Sequence, residues 1–114
     1  MHELGLVFEV VKTVERVAKE ENVSSVRSIT LQVGELSLVI PSYLEDCFPA
    51  AIDKKPLFAD TKLVIETMPG MARCDKCGKE FNVIINEGYC PECKSFDKTI
   101  LSGREFLIKE ILAD

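Results

Sequence analysis

The sequence predicts an α+β fold: two helices packed on a three-stranded sheet, with a four-cysteine module of zinc-ribbon type inserted between the second and third strands. Three observations carry this. Apolar residues recur at helical spacing near the start and again after Pro41, and three separate segments read as strands. Two Cys-x-x-Cys pairs then interrupt that body late in the chain. With 114 residues and 46% hydrophobic content, there is enough material for one compact body plus a small metal-held module. The expected division is 1–69 with 103–114 for the α+β body, and 70–102 for the module.

The first helix is read from Leu4, Val7, Phe8, Val11, Val14 and Ala18, a stripe widened by Val10 and Val17. Glu9, Lys12, Arg16, Lys19 and Glu20 take the opposite face, and Asn22 is the expected stop. Ile29, Leu31 and Val33 alternate with Ser28, Thr30 and Gln32, as in a strand with one buried face, and Gly34 ends it. Pro41 suits the first turn of a second helix, along which Leu44, Cys47, Phe48, Ala51 and Ile52 repeat. Pro49 conflicts with that pattern, because proline inside a helix removes a hydrogen bond at a cost of ~3 kcal/mol. The helix is expected to kink there, the other option being an end near Phe48. Lys62 to Met68 is the second strand, closed by Pro69-Gly70, and Glu105 to Ile111 the third. Inside the module, Phe81, Val83 and Ile85 suggest a short strand, and Gly88 turns the chain back.

Cys74 and Cys77 form one pair, Cys90 and Cys93 the other, each on its own short turn. A single pair is shared with redox dithiols, but two such turns supply the four thiolates of a closed tetrahedral zinc site. Gly78 suits a left-handed turn residue after the first pair, and Lys94 stands at the matching place after the second. Four protein ligands leave no open position, so the expected Zn(II) is structural. About 10 kcal/mol or more of apparent binding energy is available from such a site.

Bulk properties narrow the function. A net charge of −5 disfavours nucleic acid, and residues 71–99 balance five basic against five acidic side chains, so no basic stripe marks the module. No apolar run approaches the ~20 residues of a membrane span. No basic segment precedes an apolar one, so no signal peptide is expected. Cys47 is left over, and an odd thiol beside a thiolate site fits a reducing cytoplasm. There is one histidine, no nucleophile–base pair and no glycine-rich phosphate loop, so the chain does not read as an enzyme.

That histidine is His2. The α-amine of Met1, the backbone nitrogen joining residues 1 and 2, and the His2 imidazole can close two fused chelate rings on one ion. Nearly planar nitrogen donors suit Ni(II) or Cu(II), and an α-amine titrating near ~8 can lose its proton close to neutrality. The remaining donor is Glu3, a backbone group, water or a partner. An incomplete shell allows ligand exchange, as a carrier requires. A histidine with no metal role is the competing reading, and spacing alone does not separate the two.

Met1-His2-Glu3-Leu4, Val33-Gly34-Glu35-Leu36-Ser37, the first Cys-x-x-Cys and then Cys-Pro-x-Cys follow one another in an order and spacing that resemble the HypA/HybF family of nickel metallochaperones. The resemblance covers essentially the whole chain. It implies Ni(II) as a transiently bound cargo delivered to the large subunit of nickel–iron hydrogenase, and in some organisms to urease. It also implies a GTPase partner of the HypB type, to which any GTP hydrolysis belongs. Nickel would be held by Met1 and His2 with Glu3 close by, and zinc by Cys74, Cys77, Cys90 and Cys93. Many family members carry a histidine directly after the last zinc cysteine; Lys94 stands there, so the module has no histidine to lend to either metal. A monomer or a homodimer fits equally. The alternative from another class is a zinc-ribbon adaptor binding protein or nucleic acid, and a dithiol redox protein is the third. Other positions read as structural: Cys47 as helix core, Glu35 as a solvated turn, Glu45-Asp46 as an exposed helix face, and Phe81, Tyr89 and Phe96 as packing for the module.

Overall fold

A computed structural model describes residues 3–114. Helix α1 (Glu3–Glu20) buries Val7, Val10, Val11, Val14 and Ala18 of the predicted stripe, whereas Leu4 and Phe8 are exposed. It ends at Asn22, which adopts φ 57°. Val23 N donates to the Ala18 carbonyl at 2.9 Å and Asn22 N to that of Lys19 at 3.3 Å, the paired bonds of a Schellman stop. Strand β1 (Val26–Gly34) follows, then helix α2 (Pro41–Ala51) with Pro41 in its first turn.

Pro49 does not end α2 near Phe48: the helix continues to Ala51, and Ile52 N still donates to the Phe48 carbonyl at 3.1 Å. The reason is position. Pro49 lies in the last turn, and the bond it forfeits would have gone to the carbonyl of Glu45, an exposed residue where water can substitute. A 3₁₀ turn, Pro56–Phe58, places Phe58 fully inside.

Strands β2 (Lys62–Met68) and β6 (Phe106–Ala113) flank β1 in the order β2-β1-β6. Asp114 N donates to Ser25 O, and Gly34 N to Glu105 O, so β1 and β6 run antiparallel. At the other edge Thr61 Oγ1 donates to Val26 O and Glu35 N to Met68 O, so β1 and β2 run parallel, joined by the α2 crossover.

Between β2 and β6 the chain builds a second sheet that the sequence pattern did not reveal. Strands β3 (Met71–Cys74), β4 (Glu80–Asn82) and β5 (Lys98–Ile100) pair antiparallel in the order β4-β3-β5. Ala72 stands opposite Phe81 on one side and Ile100 on the other. The expected strand through Val83 and Ile85 stops at Asn82 instead. Its side-chain Oδ1 accepts from Ile85 N, its carbonyl accepts from Asn86 N, and the chain turns, leaving Ile84 and Ile85 exposed.

The chain forms two compact units. One comprises Met1–Gln32, Val39–Glu66 and Leu107–Asp114; the other comprises Val33–Leu38 and Thr67–Phe106. In the first, α1 packs on α2, and Leu44, Phe48, Ala51, Ile29, Leu31 and Phe58 are buried. The second has a smaller interior: Val33, and a cluster of Ala72, Cys74, Phe81 and Cys90 with Val83 and Ile100 packed against it.

Candidate metal centre

Half of that cluster is sulfur-bearing, and the two cysteine turns that supply it are built alike. Cys74 N donates to the Lys79 carbonyl at 2.8 Å, and Cys90 N to the Ser95 carbonyl at 2.9 Å. Gly78 N donates back to Cys74 O at 3.0 Å, and Lys94 N to Cys90 O at 2.9 Å. Gly78 reaches φ 81° and Lys94 reaches φ 66°, so the lysine takes the left-handed position that the first turn gives to glycine. The substitution leaves the second turn regular in its hydrogen bonding. In each pair the leading cysteine is buried and the trailing one exposed.

All four sulfurs lie within 4.8 Å of one another. Cys74 Sγ is 3.5 Å from Cys93 Sγ, and Cys77 Sγ is 3.5 Å from Cys90 Sγ, so the closest contacts cross from one turn to the other. A tetrahedral ion with sulfur ligands at ~2.3 Å has sulfurs roughly 3.8 Å apart. The cluster therefore has the size of a four-sulfur metal site and is wider than a disulfide. Soft thiolates in such a shell suit zinc or iron.

The local backbone prepares the sulfurs to be anions. The N–H of Cys77 points at Cys74 Sγ at 3.5 Å and, with the N–H of Lys76, brings that thiol down to about 7 against the opposing effect of burial. Burial acts against the Cys90 thiolate, but N–H groups of Cys93 and Glu92 outweigh it and the group is lowered. At Cys77 the N–H of Lys79 favours the thiolate, yet the Cys90 sulfur, burial and the other two sulfurs push the thiol up to about 12. Cys93 is raised as well: the Ser95 N–H opposes this, and the Cys74 sulfur and burial prevail. Each close pair thus joins one thiol that is lowered, Cys74 or Cys90, to one that is raised, Cys93 or Cys77.

Met1 and His2, the terminal nitrogen donors expected for nickel, lie outside the described residues. Glu3 is described and buried, and its Oε2 accepts a hydrogen bond from Ile40 N at 3.1 Å. Cys47 is half-buried rather than enclosed, while Glu45 and Asp46 form the exposed face expected. Phe81 is interior packing, but Tyr89 and Phe96 are not. They meet as a tilted pair at the surface, 5.1 Å between ring centres and 58° between planes, with Lys98 Nζ 3.4 Å above the Phe96 ring. Glu35 is more than a solvated turn residue: its Oε1 accepts from Gly70 N at 2.8 Å and from the Asn82 side chain at 3.2 Å. Nothing in the spacing of Gly34-Glu35-Leu36 signals those partners, which are distant in the chain.

Among the described residues no helix is long and apolar enough to cross a membrane. Comparison with known proteins adds the family. The family model described as hydrogenase/urease nickel incorporation, metallochaperone, HypA, matches residues 1–113. The hydrogenase maturation factor HypA of Chlorobium luteolum is 38% identical over 114 residues, spanning all of this chain and 97% of that protein. That of Geobacter metallireducens is 39% identical over 114 residues, with 97% of each covered. The solution structure of the Ni metallochaperone HypA from Helicobacter pylori shares the fold at a TM-score of 0.67 and 22% identity, over 99% of this chain and 97% of that one. With its α+β fold and four-cysteine metal site, this chain belongs to the HypA family of metallochaperones, maturation factors rather than enzymes.

Proposed function

We propose that the chain carries Ni(II) on its first residues and delivers it during maturation of nickel–iron hydrogenase, while a separate zinc ion fastens the cysteine unit. The cluster of four thiols is the observation that carries this reading. It is complete in sulfur, so it serves shape, and the cargo needs another place. Family membership supports nickel as that cargo. Urease is a second recipient that the family's description names.

Cys74, Cys77, Cys90 and Cys93 hold zinc as thiolates. Bound there, zinc supplies a cross-link between the two turns and offers no open coordination position. The backbone N–H groups aimed at Cys74 and Cys90 stabilise the anions that zinc requires. For the cargo, the Met1 amine, the nitrogen joining residues 1 and 2, and the His2 imidazole supply the donors. Glu3 assists by anchoring the first turn of α1 through Ile40 N. The incomplete nitrogen shell lets an acceptor's ligands replace donors one at a time, so nickel passes by exchange within a protein complex. The partners are the hydrogenase large subunit and a HypB-like GTPase, and the setting is the cytoplasm, whose reducing poise suits five unpaired thiols.

The test is calorimetric titration of zinc-loaded, nickel-free protein with Ni(II), alongside His2→Ala and a variant extended by one residue before Met1. Both variants are expected to weaken binding at least tenfold, since each removes or displaces a donor. Unchanged affinity in both removes the terminal site.

A further inference from the structure

The segment Val33–Leu38 belongs to the cysteine unit although it is remote from it in sequence. Its backbone reaches both chain connections of that unit. Glu35 N donates to Met68 O at 2.8 Å, Leu36 N to Gly103 O at 2.7 Å, and Gly34 N to Glu105 O at 2.7 Å. Ser37 closes the turn by donating from N and Oγ to the Gly34 carbonyl, at 3.0 and 2.7 Å. The contacts are too close for side chains. A Cβ on Gly34 would overlap the Gly103 carbonyl, and one on Gly70 would fall 2.6 Å from Leu36 Cγ.

Glu35 sits at the centre of this clasp. Its Oε1 takes the N–H of Gly70, the residue before β3, and the side-chain amide of Asn82, the last residue of β4. Met71 and Asn82 are paired at the open end of the β3–β4 hairpin, and Val83 N donates to Gly70 O at 2.8 Å across the same end. The other end of β3 is Cys74, and the first cysteine turn closes the hairpin there. One carboxylate thus pins the root of a two-stranded lever whose tip carries two of the four sulfurs.

We infer that Glu35 is a positioning residue for the four-cysteine site: by holding Gly70 and Asn82 together it keeps the β3–β4 hairpin in register, and this slows loss of metal from sulfurs it does not touch. The inference rests on the reading of the cysteine cluster as a zinc site. Held by all four sulfurs, zinc would tie the hairpin tip to the Cys90–Cys93 turn, and its release would require the first turn to swing away. A hairpin pinned at both ends resists that motion better than one pinned at the tip alone. Glu35 retains zinc through the strands, without contributing a ligand.

The experiment is release of zinc from the full-length, zinc-loaded protein to a colorimetric chelator, followed by stopped flow, with amide exchange at Gly70 measured in parallel. Glu35→Ala, which loses the acceptor for two donors, is expected to release zinc about tenfold faster and to lose protection at Gly70. Glu35→Gln keeps one acceptor oxygen and is expected to stay within about threefold of the parent. Asn82→Ala removes one of the two bonds and should fall between them, which keeps the test valid if Glu35→Ala folds poorly. Glu66→Gln, which disturbs an ion pair in the other unit, should leave release unchanged and so separates positioning from general destabilisation. Equal release rates in the parent, Glu35→Ala and Asn82→Ala overturn the inference. Failure of the parent to retain zinc on four sulfurs overturns the zinc reading instead.

Discussion

Removing the metal should unfold one unit and spare the other. The cluster that packs around the cysteines consists of Ala72, Phe81 and two cysteines, with Val83 and Ile100 partly covered. Burying a phenylalanine contributes about 1.5–3 kcal/mol and each buried methylene about 0.8, so this interior supplies on the order of 5 kcal/mol. A closed zinc site supplies about 10 kcal/mol or more near neutral pH. The metal therefore outweighs the apolar core, whereas the other unit has buried residues from both helices and from the sheet and needs no ion. The assay is amide hydrogen exchange before and after complete chelation under reducing conditions. In β3, β4 and β5 exchange should accelerate by roughly a thousandfold or more, approaching unfolded rates. Amides of α1 and those of β1 between Val26 and Gln32 should keep their protection. Metal-free protein whose Ala72 and Phe81 amides stay as protected as in the loaded form would refute the reasoning.

Three other outcomes follow from named contacts. Gly34→Ala forces a Cβ onto the Gly103 carbonyl, and because backbone must move, thermal or urea unfolding should show a loss of about 3 kcal/mol. Lys94→Gly removes the left-handed penalty on a side-chain-bearing residue and should stabilise the zinc-loaded cysteine unit by up to about 1 kcal/mol, measured by denaturant-dependent zinc release. Glu66 is held below the ordinary carboxylate value, first by its hydrogen bond with Lys109 and then by that with Gln32. A carboxylate with a lowered folded value stabilises the fold above its unfolded value and loses that contribution as pH falls through the lowered one. Lys109→Met should raise the Glu66 midpoint toward the ordinary value in an NMR carboxyl titration, and it should shrink the acid-dependent loss of stability.

What was legible in the sequence depended on the length of the pattern. Helix α1 has five turns over which an apolar stripe repeats, and its Asn22 stop uses a residue that tolerates positive φ. Strand β2 is bounded by Pro69-Gly70, and the cysteine spacing specifies a cluster with few alternatives. Strands β3 and β5 leave no periodic trace in the sequence because Met71–Cys74 and Lys98–Ile100 are too short to express a period. Their pairing is also imposed by the cysteine turns rather than by side-chain alternation. Val83 and Ile85 misled for the opposite reason. They alternate as a strand would, but Asn82 captures the following amide and starts a turn. Pro49 was tolerated because its place in the last helical turn left its lost partner near water. The partners of Glu35 could not be read at all, since a carboxylate carries no mark of which distant amide it will meet.

The central claim is that sulfur holds one metal for shape while terminal nitrogen holds another for transfer. X-ray absorption on protein loaded with both metals examines the two shells in one sample. Zinc should show four sulfur neighbours at about 2.3 Å, and nickel a shell of nitrogen and oxygen with no sulfur. Sulfur scattering at the nickel edge would contradict the account, because it would place the cargo among the cysteines assigned to zinc.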